Sequence, residues 1–338
     1  MPAVSVLIPC YNAADTIDEA LESIAFQTFT DFEVVAVDDG STDDTLSKIR
    51  HWAKKDNRFR VVSNQHNGII EALNSGLDNC YASIVARMDT DDRAHPERLK
   101  YQVEYMERHS EIGLVSSLVS GFPKNQVRQG FQIYIQWLNS LITEADICRE
   151  IFIESPFPHP SVTFQKELIQ RFGGYQENGW AEDYDLWLRL YLAGVRFAKI
   201  PEVLLEWREH PGRLTRTDSR YSLENFLRAK AHYLSRGPVV GRDALIIWGA
   251  GMTGRRLSKH LVREQVPLVG FVDVDKHKIG RTLRGKPIIS REELIATLSI
   301  YENPIVLVAV GARGARSLIR GYMTSIGLEE GSDWICVA

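Results

Sequence analysis

The chain has 338 residues, 44% of them hydrophobic and 25% charged, with a net charge of −4. This is ordinary globular composition, and the length predicts about two domains. It excludes the basic balance of a nucleic-acid binder, and no run approaches the roughly 18 apolar residues of a membrane span. Peripheral membrane contact stays open. Cys10, Cys80, Cys148 and Cys336 are scattered, without a CxxC pair or a metal-ligand spacing. That usage predicts buried reduced thiols and a cytoplasmic protein. Met1-Pro2-Ala3-Val4-Ser5 has no basic leader, and its apolar run is too short for a signal peptide.

Strand and helix alternate through the first hundred residues. Val4 to Ile8 is a short apolar run ended by Pro9, and Ile17, Ala20, Leu21, Ile24 and Ala25 then recur at helical spacing. Phe32 to Val37 is a second strand, stopped by Asp38-Asp39-Gly40-Ser41, with Ser41 and Asp44 reading as a helix start. A helix through Leu46, Ile49 and Ala53, a strand over Arg60 to Ser63, a helix through Ile70, Leu73 and Leu77 and a strand over Ser83 to Met88 follow. The alternation predicts a largely parallel sheet with helices on both faces. Further on, Val115 to Val119 reads as strand and Phe131 to Leu141 as helix. Pro156 to Pro160 reads as extended loop, because each proline pushes its predecessor out of the helical region. A glycine-rich stretch, Gly173 to Gly179, reads as a flexible loop leading into an apolar helix that begins near Glu182 and closes at Gly194. Val203 to Leu205 is a strand, and a polar helix runs from about Asp218 to Leu234. The pattern restarts after Gly237 to Gly241: strands at Ala244 to Trp248, Leu268 to Val272 and Ile305 to Val310, with a helix from Arg255 to Val262. The expected domains are 1–236 and 241–338.

In a parallel sheet the ends of successive strands converge on one edge, which brings Pro9 to Asn12, Asp38 to Ser41, Asn64 to Gly68 and Asp89 to Asp92 together. Met88-Asp89-Thr90-Asp91-Asp92 places three carboxylates within four residues at a strand end. Hard cations such as Mg²⁺ or Mn²⁺ take such oxygen ligands and bridge them to substrate phosphates; the alternative is a solvated turn. Tyr11 can stack on a base, and Asp39 can accept the N–H of a pyrimidine. The basic stretch Arg208 to Arg220 suits an anionic substrate. Asp38, Asp43 and Asp44 read as helix-start charges favoured by the dipole.

Several segments, in order, resemble family 2 glycosyltransferases. They are Ser5-Val6-Leu7-Ile8-Pro9-Cys10-Tyr11-Asn12, Gln27 to Glu33, Val37-Asp38-Asp39-Gly40-Ser41, Asn67-Gly68, Ala72-Leu73-Asn74, Asp89-Thr90-Asp91-Asp92, His95-Pro96-Glu97-Arg98, Phe172-Gly173-Gly174-Tyr175, Glu182-Asp183-Tyr184-Asp185-Leu186-Trp187 and Arg208-Glu209-His210-Pro211-Gly212. The resemblance covers about residues 3 to 217 and rests on the ordered combination. It implies a GT-A fold, with a doubly wound, mostly parallel sheet, and inverting transfer of a sugar from a nucleotide-diphosphate donor, of uridine type. Pro9, Tyr11, Asp39, Asn67 and Asp89 then fall at the donor nucleotide, and Asp91, with Asp89 and His210, at a Mn²⁺ or Mg²⁺ ion. For His210 a solvated loop histidine remains equally open. Asp183 falls on the general base, with Glu182 and Trp180 as acceptor-side candidates. Without the resemblance Asp183 reads as a helix cap. Trp187 reads as core. The implied setting is surface polysaccharide or glycolipid synthesis on a glycan or lipid-linked acceptor, in the cytoplasm or at the inner membrane face.

In the second part, Gly249-Ala250-Gly251-Met252-Thr253-Gly254 lies between strand and helix, with Asp273 about twenty residues on. This is the dinucleotide fingerprint in its usual context, in a segment resembling small Rossmann-like domains attached to sugar-modifying enzymes. NAD(P) or another nucleotide is a candidate ligand; the alternative is that the glycines merely permit close strand–helix packing. No hydride-transfer set accompanies them. Two other readings compete for the whole chain. A sugar-1-phosphate nucleotidyltransferase needs a glycine-rich basic loop where Pro9-Cys10-Tyr11-Asn12 stands, and a catalytically inactive nucleotide-sensing protein has no use for the acids Asp89, Asp91 and Asp183.

Overall fold

The computed structural model describes residues 1–338. They form two compact units, the first comprising 1–147, 156–178 and 182–217, the second 148–155, 179–181 and 218–338. Strands β1 (Val4–Cys10), β2 (Phe32–Asp39), β3 (Phe59–Asn64), β4 (Ile84–Arg87), β5 (Arg93–Ala94), β6 (Ile112–Phe122), β7 (Thr163–Gln165) and β8 (Arg196–Arg208) make the eight-stranded sheet of the first unit, in the order β3-β2-β1-β4-β7-β6-β8-β5. The β3-β2-β1-β4 half is parallel; β7 runs antiparallel to both β4 and β6. Helices α1 (Ile17–Ala25), α2 (Thr45–Lys55), α3 (Ile69–Asn79), α4 (Arg98–Arg108), α5 (Gln129–Ser140), α6 (Glu144–Glu150), α7 (Lys166–Arg171), α8 (Glu182–Leu192) and α9 (Leu214–Thr217) connect the strands.

Every residue of β1 and β2 is buried, as a sheet covered on both faces requires. Val4, Val6, Ile8, Val34 and Ala36 meet Ile17, Leu21, Ile24, Ile49 and Leu99 in one core. The opposite face lies under α3. Each such aliphatic side chain contributes about 1.5–3 kcal/mol by leaving water, so helical spacing alone locates α1. Register pairs Cys10 with Asp38 and Asp39 with Asn64, which sets the ends of β1, β2 and β3 side by side. The expected convergence of loops therefore follows.

Three local expectations are corrected. α2 begins at Thr45, not near Ser41: the Asp43 carboxylate accepts the Thr45 N–H at 3.0 Å, while Ser41 Oγ accepts the Asn12 N–H at 3.1 Å from another loop. The proline segment is broken by a 3₁₀ turn over His159–Ser161, whose Ser161 hydroxyl donates to the Pro158 carbonyl at 2.7 Å. The stretch after α7 is tied down: Arg189 donates to the Phe172 and Gly174 carbonyls at 2.5 and 2.8 Å.

The second unit carries a six-stranded sheet, built from β9 (Ala244–Trp248), β10 (Leu268–Val272), β11 (Thr282–Leu283), β12 (Lys286–Ile289), β13 (Pro304–Val308) and β14 (Trp334–Cys336) in the order β11-β12-β10-β9-β13-β14. Its helices are α10 (Leu223–Arg236), α11 (Met252–Arg263), α12 (Leu294–Leu298) and α13 (Ala315–Ser325), and α10 packs along α11. All four cysteines are free thiols, and Cys10, Cys80 and Cys336 are buried. No helix is long and apolar enough to cross a membrane.

Candidate functional site

The buried run of β1 passes through Pro9 and ends at Cys10, and the exposed Tyr11 that follows stacks its ring on His66 at 4.0 Å with 12° between planes. Asp39, buried at the end of β2, accepts the N–H groups of Asn67 at 3.0 Å and Gly68 at 2.9 Å, and its carboxylate lies 2.8 Å from His66 Nδ1. It sits at the N-terminus of α3, where the helix dipole favours a carboxylate. Asn67 is exposed and contributes its backbone to this contact. His66 is a site residue that sequence reading missed. Its signal was its place in the Asn64 to Gly68 loop, but only the tertiary contact sets it against Tyr11 and Asp39.

Asp38 corrects the reading of a helix-start charge. It is 2% exposed, and its Oδ1 has no hydrogen-bond partner. Together with Asp89 it raises the thiol pKa of buried Cys10, on top of the larger effect of burial.

Asp89, Asp91 and Asp92 follow β4, and one oxygen from each lies within 4.8 Å of the others. Asp92 is buried; the Arg208 N–H donates to its Oδ1 at 2.8 Å, while Oδ2 has no partner. Burial first, then Asp91 and Asp89, push its pKa well up. Asp91 pairs with His210 Nε2 at 2.8 Å, so the histidine is held at the acid cluster rather than solvated apart from it. Asp89 pairs with Arg87 Nη1 at 2.5 Å. Arg87 is only 3% exposed and went unnoticed in sequence, although a lone arginine in an apolar strand was a legible signal. Arg98, also buried, donates to the Arg87 carbonyl at 2.7 Å. Two guanidinium groups thus offset part of the acid charge. The orphaned Asp92 oxygen and the three convergent carboxylates still suit a hard divalent cation.

Asp183 lies in the first turn of α8 and is partly buried; its Oδ1 accepts the Tyr184 N–H at 2.7 Å. Burial and then the neighbouring Glu182 raise its pKa to about 7, against the pull of Arg87. The guanidinium that pairs with Asp89 therefore also acts on Asp183. Glu182 is 2% exposed. Neither tryptophan offers an open face. Trp187 is fully buried, edge-on to Phe157 and His159. Trp180, 7% exposed, lies in the second unit with its ring 5.3 Å from His232 and Arg228 5.5 Å above it.

In the second unit, a Cβ on Gly254 would fall 1.8 Å from the Gly249 carbonyl oxygen, so this glycine lets α11 start tight against its strand. Gly249 itself has φ +115°, and a Cβ on Gly251 would meet nothing within 4 Å. Asp273 is held by its own loop. Its carboxylate accepts the Ala250 N–H at 2.9 Å, the Asp275 N–H at 2.9 Å and Lys278 Nζ at 3.1 Å. Those contacts staple the glycine loop, and nothing in them favours NAD(P). A concavity of about 440 Å³ opens beside the loop, lined by Ala250, Gly251, Met252, Arg255, Arg256 and Lys278.

Residues 5–172 match the family described as Glycosyl transferase family 2, and residues 241–330 match C2185-like, N-terminal. The amylovoran biosynthesis glycosyltransferase AmsE of Erwinia amylovora is 35% identical over 208 residues, 60% of this chain and 75% of its own length. The UDP-Gal:alpha-D-GlcNAc-diphosphoundecaprenol beta-1,3-galactosyltransferase of Escherichia coli is 31% identical over 210 residues, 61% of this chain and 74% of its own. TarS 1–349 of S. aureus, solved in complex with UDP-GlcNAc, superposes with a TM-score of 0.57 at 22% identity, covering 78% of this chain and 72% of that one. The mostly parallel sheet with acids at its carboxyl edge is the GT-A type of fold. Fold, motif order and these relatives agree: the chain belongs to glycosyl transferase family 2.

Proposed function

We propose that the enzyme is an inverting glycosyltransferase that moves a sugar from a UDP-sugar to a hydroxyl of a glycan or lipid-linked acceptor. The observation that carries this reading is Asp183: a carboxyl in the first turn of a buried helix, with its pKa raised to about 7, in the unit whose sheet edge presents Asp39 and the acid cluster. A base works best with a pKa near the operating pH. In the reaction the acceptor oxygen attacks the anomeric carbon as its proton passes to Asp183. The bond from that carbon to the diphosphate breaks, and the electron pair leaves with the nucleotide. Asp39 and Tyr11, beside Pro9 and the Asn67 backbone, would hold the nucleobase. Asp91, Asp89 and His210 would hold a divalent metal, which when bound offsets charge on the departing diphosphate. Arg87 keeps Asp89 oriented from below. The Escherichia coli relative, named for UDP-Gal and a diphosphoundecaprenol acceptor, supports the uridine donor and a workplace at the inner membrane face. Nucleoside diphosphate release across a donor panel tests the reading. Release from UDP-sugars that depends on an added acceptor is expected; sugar-1-phosphate-dependent pyrophosphate release would overturn it. For the metal, UDP titrated by calorimetry should bind more tightly with Mn²⁺, and Asp91→Ala should abolish that gain.

We further propose that residues 241–338 form an accessory nucleotide-binding or docking domain without chemistry of its own, following a transferase domain over 1–236. The concavity beside Gly251, with Arg255 and Arg256 at an end of α11 that has no acid in its first turn, supports an anionic ligand there. Nucleotide sugars titrated against the full chain and against Arg255→Glu test this. Equal affinity in both leaves the glycines a packing role.

A further inference from the structure

Two motifs in the first unit are not accounted for by donor or base chemistry: Ala72-Leu73-Asn74 on α3, and Phe172-Gly173-Gly174-Tyr175 before α8. The structure joins them. The Asn74 side chain donates from Nδ2 to the Tyr175 carbonyl and accepts the Tyr175 N–H at Oδ1, both at 2.9 Å. One amide thus satisfies both backbone groups of one loop residue, an arrangement that fixes its plane. Gly174 has φ +63°, and a Cβ there would lie 2.6 Å from Asn74 Oδ1, so only glycine admits this approach. From the other side Arg189, on α8, donates to the carbonyls of Phe172 at 2.5 Å and Gly174 at 2.8 Å. Its Nε donates to Asp185 one turn back at 2.8 Å, and the second oxygen of Asp185 accepts from Asn178 at 3.0 Å. Asp185 is fully buried. Tyr175, 2% exposed, anchors the loop below, with its hydroxyl 2.8 Å from His159 Nε2.

We propose that Asn74, Arg189 and Asp185 are positioning residues that brace α8 against α3 through the Phe172–Asn178 loop and so hold the Asp183 carboxylate at the acceptor hydroxyl. The inference rests on the reading of Asp183 as the base. A neutral amide and a forked guanidinium are the groups that can clamp carbonyls from both sides. A misplacement of about 1 Å at a reacting group can cost about 100-fold in rate, which gives a brace this distant its leverage. Asp39 meets the N-terminus of α3 at Gly68, more than one turn from Asn74, and Asp91 follows β4; neither touches the Phe172–Asn178 loop, so UDP binding should be retained.

The test uses the full-length enzyme with Asn74→Ala, Arg189→Lys and, as control, Asp183→Asn. Arg189→Lys keeps the charge facing Asp185 but loses the fork to the two carbonyls. Both brace variants should bind UDP within about twofold of the parent while kcat falls about 10–100-fold. The acid limb of the kcat pH profile should also move down towards the ordinary carboxylate range, because a loosened loop hydrates Asp183 beside Glu182 and Arg87. A purely structural role would lower thermal stability without moving that limb. Full kcat in either folded variant, or lowered thermal stability with an unmoved limb, overturns the brace. If Asn74→Ala fails to fold, Arg189→Lys decides alone. Normal turnover in Asp183→Asn would instead remove the base reading itself, so the two failures are distinguishable.

Discussion

Asp183 ties activity and stability to pH in opposite directions. Its folded pKa, about 7, lies above the usual carboxylate value because burial and Glu182 disfavour its charge. The folded state therefore holds the proton more tightly than the unfolded chain. This contribution is fully present below about pH 4 and is lost as pH rises through about 7. Activity should climb over the same upper range as the base ionises. Asp183→Asn should reduce transfer by about 10²–10⁴-fold with UDP binding retained. Its thermal midpoint should exceed that of the parent at pH 8 and match it near pH 4; a constant difference across that range would show that Asp183 is not held protonated. At the other end of the site, Tyr11 stacks on His66 at 4.0 Å. A bound base can take over that ring face, so Tyr11→Ala should weaken UDP binding by about 2–12-fold, as loss of one stacking pair predicts. Asp39, Asp89 and Asp91 were legible as strand-terminal acids, which are costly without a use, whereas Asp183 stood out only through the family resemblance, since alone it reads as a helix cap. His66 was not legible, since its meaning lies in the Tyr11 ring and the Asp39 carboxylate it faces, and Asp38 was not, since only the fold buries it; Arg87 did offer a signal, a lone arginine in an apolar strand, and its partner Asp89 is two residues on.

Elements were legible wherever one face is apolar. The stripe Ile17, Ala20, Leu21 and Ile24 predicted α1, and all of these residues are buried. Trp187 was legible as core on the same grounds, and its loss should cost about 3–5 kcal/mol, read by chemical denaturation of Trp187→Ala. What failed was local chemistry that long-range contacts override. Ser41 resembles a helix cap but instead holds the Asn12 backbone, and the glycine-rich loop between α7 and α8 reads as flexible but is hydrogen-bonded by Asn74 and Arg189. Glycines announce conformational freedom without saying whether the freedom is used for motion or for close approach. Gly254 shows the second case: Gly254→Ala should drive a methyl into the Gly249 carbonyl and destabilise the protein by about 1–3 kcal/mol. A thermal midpoint equal to the parent's would show that the turn relaxes at no cost.

At the scale of the whole molecule, the second compact unit takes in 148–155 and 179–181 as well as 218–338. Within it Lys230, on α10, donates to the carbonyls of Ile153 and Val337, and Glu150 pairs with Arg316 and Arg320. A chain ending at Arg236 keeps every proposed donor and base residue but strips these partners and uncovers the side of α10 that packs along α11. It should retain UDP-sugar turnover at a lowered thermal midpoint. A folded truncation without turnover would assign the last hundred residues a part in the reaction. The sequence by itself determined the alternation of strands and helices, the sheet edge where acids gather, the family and the glycine turn of the second sheet. Each of these is written in local periodicity or in motifs a few residues long. Only the tertiary structure decided that His210 meets Asp91, that Asp273 is used by its own loop, that Trp180 is enclosed, and that Asn74 reaches the loop before Asp183. Those outcomes depend on contacts between residues up to 119 positions apart, and a side chain's donors and acceptors carry no record of which partner the fold will bring to them.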